Sequence, residues 1–211
     1  MDFQTGDEFI FFIGRETGYK RITNKERIRK RKPFSYMFRL CDRYVNWGRG
    51  NFNKLFILNE LKGVHRIEID TLARRYYEEM IKPHLIPTVV NRLIEDKSKG
   101  EVIIVSASYM PFVRYFGKEY KIDTIITNEF EYKNGIFTGR LKRNDCWGRE
   151  KVKRLFEKIE DFKEYYSVSY SDSCSDLPIL EIADEPIVVS KGEQQNWASD
   201  RGYEQIIWNV V

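Results

Sequence analysis

The spacing of apolar residues in this chain changes near Gly100. Before that point they recur at three- and four-residue steps, the period of a helix buried on one face. Phe34, Met37, Phe38, Cys41, Tyr44 and Val45 form one stripe. Phe52, Leu55, Phe56 and Leu58 form a second, running to Leu61 and stopping at Gly63. Ile69, Leu72, Ala73, Tyr76, Tyr77 and Met80 mark a third helix over 67–80. Pro83 and Pro87 bracket a break, Thr88 opens a helix over Val89 to Lys97, and Gly100 is its stop signal. Beyond Gly100, Glu101-Val-Ile-Ile-Val105 is a continuous β-branched run, as expected of a strand buried on both faces. The spacing then predicts a helix over Pro111 to Tyr120, a strand at Thr124 to Thr127 and a hairpin from Phe130 to Leu141 turning on Lys133-Asn134-Gly135. A helix from Glu150 to Phe162, a strand from Tyr165 to Tyr170 and a helix from Leu177 to Ile182 follow. Strands at Ile187 to Ser190 and Gln205 to Trp208, with a polar helical stretch between them, close the pattern. Strands alternating with helices predict an α/β fold with an open, mostly parallel sheet. Residues 1–13 and 87–211 are assigned to that core, and 14–86 to a helical insertion.

Composition narrows the class. The chain has 211 residues, 42% of them apolar and 15% aromatic, which is enough to bury a substantial core and excludes a disordered chain. Three widely spaced cysteines, Cys41, Cys146 and Cys174, make neither a disulfide framework nor a Cys-x-x-Cys metal site, so a cytoplasmic location is expected. No apolar run approaches the roughly 18–20 residues of a membrane span. Phe9 to Ile13 is far too short, and its acidic, polar start is unlike a signal peptide. The net charge of +4 is mild, yet Tyr19 to Lys32 holds eight Lys or Arg against one acid, Glu26. That run is read as a solvated face beside a site for anionic substrates, with nucleic-acid binding ranked below it.

Candidate chemistry gathers at the predicted carboxyl ends of the strands, where ligands sit in sheets of this kind. Tyr170-Ser-Asp172-Ser-Cys-Ser-Asp176-Leu-Pro178 sets two carboxylates four residues apart where a strand hands over to a helix, a hard oxygen site for a divalent cation. Ser106 follows the strand ending at Val105, and its hydroxyl with the next backbone N–H, that of Ala107, suits an anion. Lys151 opens a helix after Asp145-Cys-Trp-Gly-Arg-Glu150. A Ser, a Lys, two Asp and Mg²⁺ make a phosphoryl-transfer site in which positive groups neutralise the phosphoryl oxygens. Each residue also has a plainer reading. A Ser after a strand is commonly a cap, a helical Lys is commonly a surface charge, and two acids before a helix can simply favour its dipole. Lys54, Arg49 and Arg39 are further candidate anion contacts, each more readily read as surface. His65 and His84 lack partners at metal-ligand spacing and are read as ordinary packing or surface residues.

With these motifs in order, the chain resembles the haloacid-dehalogenase-like phosphatases, in the phosphoserine-phosphatase-like branch with an early helical cap. The resemblance runs through Val102-Ile-Ile-Val-Ser-Ala-Ser108, Thr127-Asn-Glu-Phe with Asn134-Gly-Ile-Phe-Thr-Gly139, Asn144-Asp-Cys-Trp-Gly-Arg-Glu-Lys151, Tyr170 to Pro178 and Arg201-Gly-Tyr. It implies a Rossmann-like core, a cap over 14–86 and Mg²⁺-dependent hydrolysis of a small phosphorylated metabolite. It also implies that Ser106 and Lys151 bind the phosphoryl group, that Asp172 ligates Mg²⁺, and that Asp176 supports the metal's water shell or Lys151.

One member of the set is not intact. The family's first motif, Asp-x-Asp-x-Thr, ends the central strand; its first Asp attacks phosphorus and its second protonates the leaving oxygen. The family usually adds an acid downstream, just ahead of an apolar helix, and Asp7 suits that substrate-side position. Counting back from Asp7 puts the nucleophile before Met1. In the competing register Asp2 stands for the nucleophile, but Gln4 then replaces the acid/base Asp and no apolar strand precedes it. Spacing favours the first register, and with it a chain truncated at its start whose sheet lacks a middle strand between those ending at Ser106 and near Tyr170. A complete sheet with another segment in that slot would instead mark an evolved, catalytically dead binder of a phosphorylated ligand.

Overall fold

The computed structural model describes residues 5–24 and 52–209. The helix expected over Phe34 to Val45, Arg39, Arg49, Cys41, most of the basic run and Asp2 lie outside the described residues.

The apolar stripe at Phe9 to Ile13 belongs to a helix, α1 (Thr5–Thr17), with Phe9, Ile10 and Ile13 fully buried. The second predicted stripe is α2 (Phe52–Leu58), tightened into a 3₁₀ turn at Asn59–Leu61 before Gly63. The third is α3 (Arg66–Tyr76), which widens into a π turn at Tyr77–Ile81. Helix α4 (Pro87–Lys97) starts on a proline whose missing N–H costs nothing at a first helical position. These helices do not pack by themselves. The Phe9 ring lies 5.2 Å from Tyr76 and 5.1 Å from Phe112, so α1 ties α3 to the helix after the first strand.

The α/β half follows the predicted alternation. Strands β1 (Ile103–Tyr109) and β2 (Thr124–Asn128) run parallel, joined through α5 (Met110–Tyr120). An antiparallel hairpin of β3 (Phe130–Lys133) and β4 (Ile136–Leu141) turns on Asn134 and Gly135, both at positive φ as a two-residue hairpin turn requires. Helix α6 (Arg149–Lys158) is shorter than its predicted span to Phe162 and ends ahead of a separate 3₁₀ turn at Phe162–Glu164. Strands β5 (Val168–Ser171), β6 (Glu185–Lys191) and β7 (Glu204–Trp208) form a second parallel ladder in the order 5-6-7. Short helices α7 (Leu177–Leu180) and α8 (Asn196–Ser199) sit in its connections.

One departure and one expected feature concern the site. Strand β1 does not end before Ser106: it continues to Tyr109, and its pairing with β2 is interrupted between Val105 and Tyr109, so Ser106, Ala107 and Ser108 form an irregular stretch inside the strand. Second, as expected, among the described residues no strand joins the β1–β2 ladder to the β5–β6–β7 ladder. Helix α4 reaches both ladders. Val89, Val90 and Leu93 line an apolar cavity of about 320 Å³ with Ile104 of β1, while Arg92 donates to the Tyr170 hydroxyl of β5 at 2.9 Å.

Candidate functional site

The loop after β5 is built from its own short polar side chains. Ser171 is buried at the strand end, and its hydroxyl accepts the Ser173 N–H at 3.2 Å while donating to Asp176 Oδ2 at 2.7 Å. Ser173 in turn caps the 3₁₀ turn at Cys174–Asp176 by accepting the Ser175 N–H. The other Asp176 oxygen, Oδ1, accepts from Lys151 Nζ at 2.6 Å. The two side chains of this ion pair are 7% and 15% exposed, which is where a charged group must have a partner. Lys151 is delivered there by α6, whose start depends on Gly148 at φ 55°, ψ −126°, a conformation for which a Cβ is strained. Arg154, one turn on, locks the same helix to the end of β2 by donating to the Thr127 carbonyl at 3.0 Å and to the Asn144 carbonyl, and pairs with Glu150 at 3.1 Å.

The irregular stretch of β1 is held from outside. The Ser106 hydroxyl accepts the Ser108 N–H at 3.1 Å. The Ala107 carbonyl accepts from Lys54 Nζ at 3.0 Å and from Asn128 Nδ2 at 2.7 Å. Both donors also meet Asp145 Oδ1, each at 2.6 Å, and Asn128 Oδ1 accepts the Cys146 N–H at 2.9 Å. Thr127 Oγ1 donates to the Ser108 carbonyl at 2.6 Å.

Lys151 and Asp176 are therefore brought into direct contact, and Asp176 serves the lysine. Ser106 makes no hydrogen bond to Lys151 among the described residues, but their chain neighbours Val105 and Val152 belong to one apolar cluster with Ile126, Cys146 and Leu155. Asp172 is exposed, and the two oxygens of Asp176 are engaged by Lys151 and Ser171. Among the described residues no three His, Cys, Asp or Glu side chains are grouped to hold a metal ion. A Mg²⁺ ion bound through one carboxylate, phosphoryl oxygens and water is still compatible with these residues, because Mg²⁺ retains waters and rarely uses an all-protein cage. Asp7 lies in the first turn of α1, next to Gly6, at which a Cβ would lie 3.3 Å from the Tyr109 ring.

Lys54 is not the surface residue its sequence position suggested: it is 12% exposed and paired with Asp145 at 11%. The His84 ring Nδ1 lies 2.9 Å from the Met80 carbonyl oxygen, and His65 precedes α3 and bridges to Ile136 of the hairpin. Burial pushes the Cys146 thiol up, so it is a packed sulfur and not a nucleophile. Asn128, Asp145 and Arg154 were missed as site residues. Asp145 and Arg154 flank the Lys151 motif, but nothing local marks their partners on β1 and β2.

Comparison with known proteins bears on the family and the fold. Residues 3–181 match the family model for haloacid dehalogenase-like hydrolases. Among curated proteins, a histidinol-phosphatase of Neisseria meningitidis serogroup C (strain 8013) is 27% identical over 160 residues, covering 70% of each chain. Among solved structures, a protein of unknown function from Bordetella pertussis Tohama I superposes with a TM-score of 0.76 at 18% identity, over 96% of this chain and 91% of the other. A probable phosphoserine phosphatase from Vibrio cholerae superposes at 0.60 and 14% identity, over 94% of this chain and 55% of its own. At these identities the superpositions establish the fold alone. Among the described residues no helix is long and apolar enough to cross a membrane.

Proposed function

The chain belongs to the haloacid dehalogenase-like hydrolase family, and from that premise we propose that its site serves Mg²⁺-dependent hydrolysis of a small phosphomonoester in the cytoplasm. The observation that carries the reading is the Lys151–Asp176 ion pair, 2.6 Å long and largely buried beside the loop that also bears Asp172. A lysine held there by a carboxylate is fixed in direction, as a group that is to neutralise a phosphoryl oxygen must be. In this reading Ser106 and the Ala107 N–H bind the same group, Asp176 holds Lys151, Asp172 is the protein's ligand to Mg²⁺, and Asp7 contacts the substrate side. Bound Mg²⁺ would add Lewis-acid neutralisation of the phosphoryl charge. The helices of 14–86 serve as the cap that excludes water and selects the metabolite. Relatives named for phosphatase activity, one on histidinol phosphate, support the reaction class without fixing the substrate.

A second reading keeps Ser106, Lys151 and Asp172 but lacks the family's nucleophilic carboxylate, without which no aspartyl-phosphate forms. The chain would then bind phosphorylated ligands without turning them over. One assay separates the two: phosphate release from p-nitrophenyl phosphate with Mg²⁺. Release abolished by Asp172→Asn and by Lys151→Ala supports hydrolysis. Binding of orthophosphate that needs Lys151, with no release, overturns hydrolysis for this chain and supports the binder.

A further inference from the structure

We propose that Lys54, Asn128 and Asp145 form a positioning network that aims the Ser106 hydroxyl at a bound phosphoryl oxygen. The inference rests on the phosphate reading of Ser106 given above and goes beyond it by assigning three residues that never touch the ligand. The peptide between Ala107 and Ser108 is trans, so its C=O and its N–H point to opposite sides of the chain. On one side the carbonyl is clamped by two donors, Lys54 Nζ at 3.0 Å and Asn128 Nδ2 at 2.7 Å. On the other side the N–H of the same peptide meets Ser106 Oγ at 3.1 Å. Fixing the carbonyl therefore fixes the N–H, and the N–H takes up one acceptor site of the hydroxyl. What remains is one further lone pair and the Ser106 O–H as a donor in a restricted direction, and that donor suits an oxygen anion.

Asp145 makes the clamp rigid. Its Oδ1 accepts from both Lys54 and Asn128 at 2.6 Å, so neither donor can swing away without leaving a largely buried carboxylate short of a partner. Asn128 is itself held by the Cys146 N–H at 2.9 Å, and Ser108 by Thr127 at 2.6 Å. The stretch 106–108 has no regular pairing with β2 to hold this peptide, since the ladder is broken there. A side-chain network supplies what the ladder does not.

A network that merely stapled α2 to the sheet would lower stability without altering how Ser106 works, and a double-mutant cycle separates the two. Orthophosphate affinity with Mg²⁺ is measured by calorimetry on the full chain and its Lys54→Met, Ser106→Ala and doubly substituted forms, together with amide hydrogen exchange at Ser108. Each single substitution is expected to weaken binding by about tenfold, the size of one hydrogen bond to a charged group. The double is expected to be no weaker than Ser106→Ala alone, because Lys54 acts through Ser106. The Ser108 amide is expected to exchange faster in Lys54→Met without any ligand, and to keep its protection in Lys54→Arg, which retains the donors. If Lys54→Met does not fold, Asn128→Ser must show the same pattern. Losses that multiply in the double, or a Ser108 amide indifferent to both substitutions, overturn the proposal. An unaltered chain that binds no orthophosphate overturns the phosphate reading itself, and the Ser108 exchange then decides the network on its own.

Discussion

A lysine with only 7% of its side chain exposed is tolerated on α6 because Asp176 meets it at 2.6 Å. Removing the lysine leaves Asp176 with Ser171 alone, so Lys151→Met should destabilise the fold by about 3 kcal/mol, the lower end for breaking a buried pair, since Asp176 keeps one bond and some water. Urea unfolding checks this; a loss under about 1 kcal/mol would show that the pair contributes no more than a surface ion pair does. Gly148 is the second sensitive position. Its φ of 55° with ψ −126° has nothing within 4 Å of an added Cβ, so Gly148→Ala should cost about 1–3 kcal/mol through backbone strain alone. A neutral Gly148→Ala in thermal unfolding would contradict that. The sequence made Lys151 and Asp176 readable because each sits at a boundary between elements. It did not make Lys54–Asp145 readable, since those residues lie 91 positions apart and no local spacing announces the contact.

Helix α4 meets both ladders, and its hold on β5 is polar. The Tyr170 hydroxyl donates to Asp96 Oδ2 at 2.5 Å and accepts from Arg92 Nε at 2.9 Å. Burial first, and then the bond to Asp96, pushes the Tyr170 phenol up from its ordinary 10.0 to about 12. A raised value in the folded state means that this contribution is complete below pH 10 and is lost as pH rises towards about 12. Asp96 works the other way. Burial raises its carboxyl, but the bonds from Tyr170 and Lys99 and the charge of Arg92 outweigh it and hold the value below the ordinary carboxylate range. Its contribution is therefore present above that range and is lost as pH falls through the lowered folded value. A difference titration of the phenol absorbance between the unaltered chain and Tyr170→Phe should isolate one group near pH 12, moved down in Asp96→Asn. A phenol titrating at 10.0 with Asp96 intact would sink the anchor. At this scale the sequence was informative where period and punctuation agree: the hairpin turn at Asn134-Gly135 fell where expected, and α4 begins at Pro87, one residue ahead of the Thr88 expected to open it. It failed at the end of β1, because the interrupted ladder beyond Val105 is set by the partner strand and by Asn128, not by the β-branched run.

For the molecule as a whole, the largest core cluster ties the early helices to the hairpin. Phe9, Tyr76, Phe112, Phe130 and Phe137 belong to a single buried cluster spanning α1, α3, α5 and the hairpin. Phe9→Ala should therefore cost about 3–5 kcal/mol, and a loss confined to 1 kcal/mol would show that α1 is peripheral. The alternation of strands and helices after Gly100 was legible because β-branched runs mark parallel strands, although only β6 carries a fully buried run and β1, expected to be buried on both faces, is half-buried up to Ser108. The separation of the β1–β2 and β5–β6–β7 ladders among the described residues is marked by no hydrophobic pattern. Phosphoryl binding is common to both functional readings, so it is the claim to test first. The measurement is ³¹P NMR titration of orthophosphate against the full chain with Mg²⁺, set beside Lys151→Met and Asp172→Asn. The account predicts saturable binding by the unaltered chain, weakened at least tenfold by Lys151→Met and made independent of Mg²⁺ by Asp172→Asn. Binding of equal strength in all three proteins would contradict it.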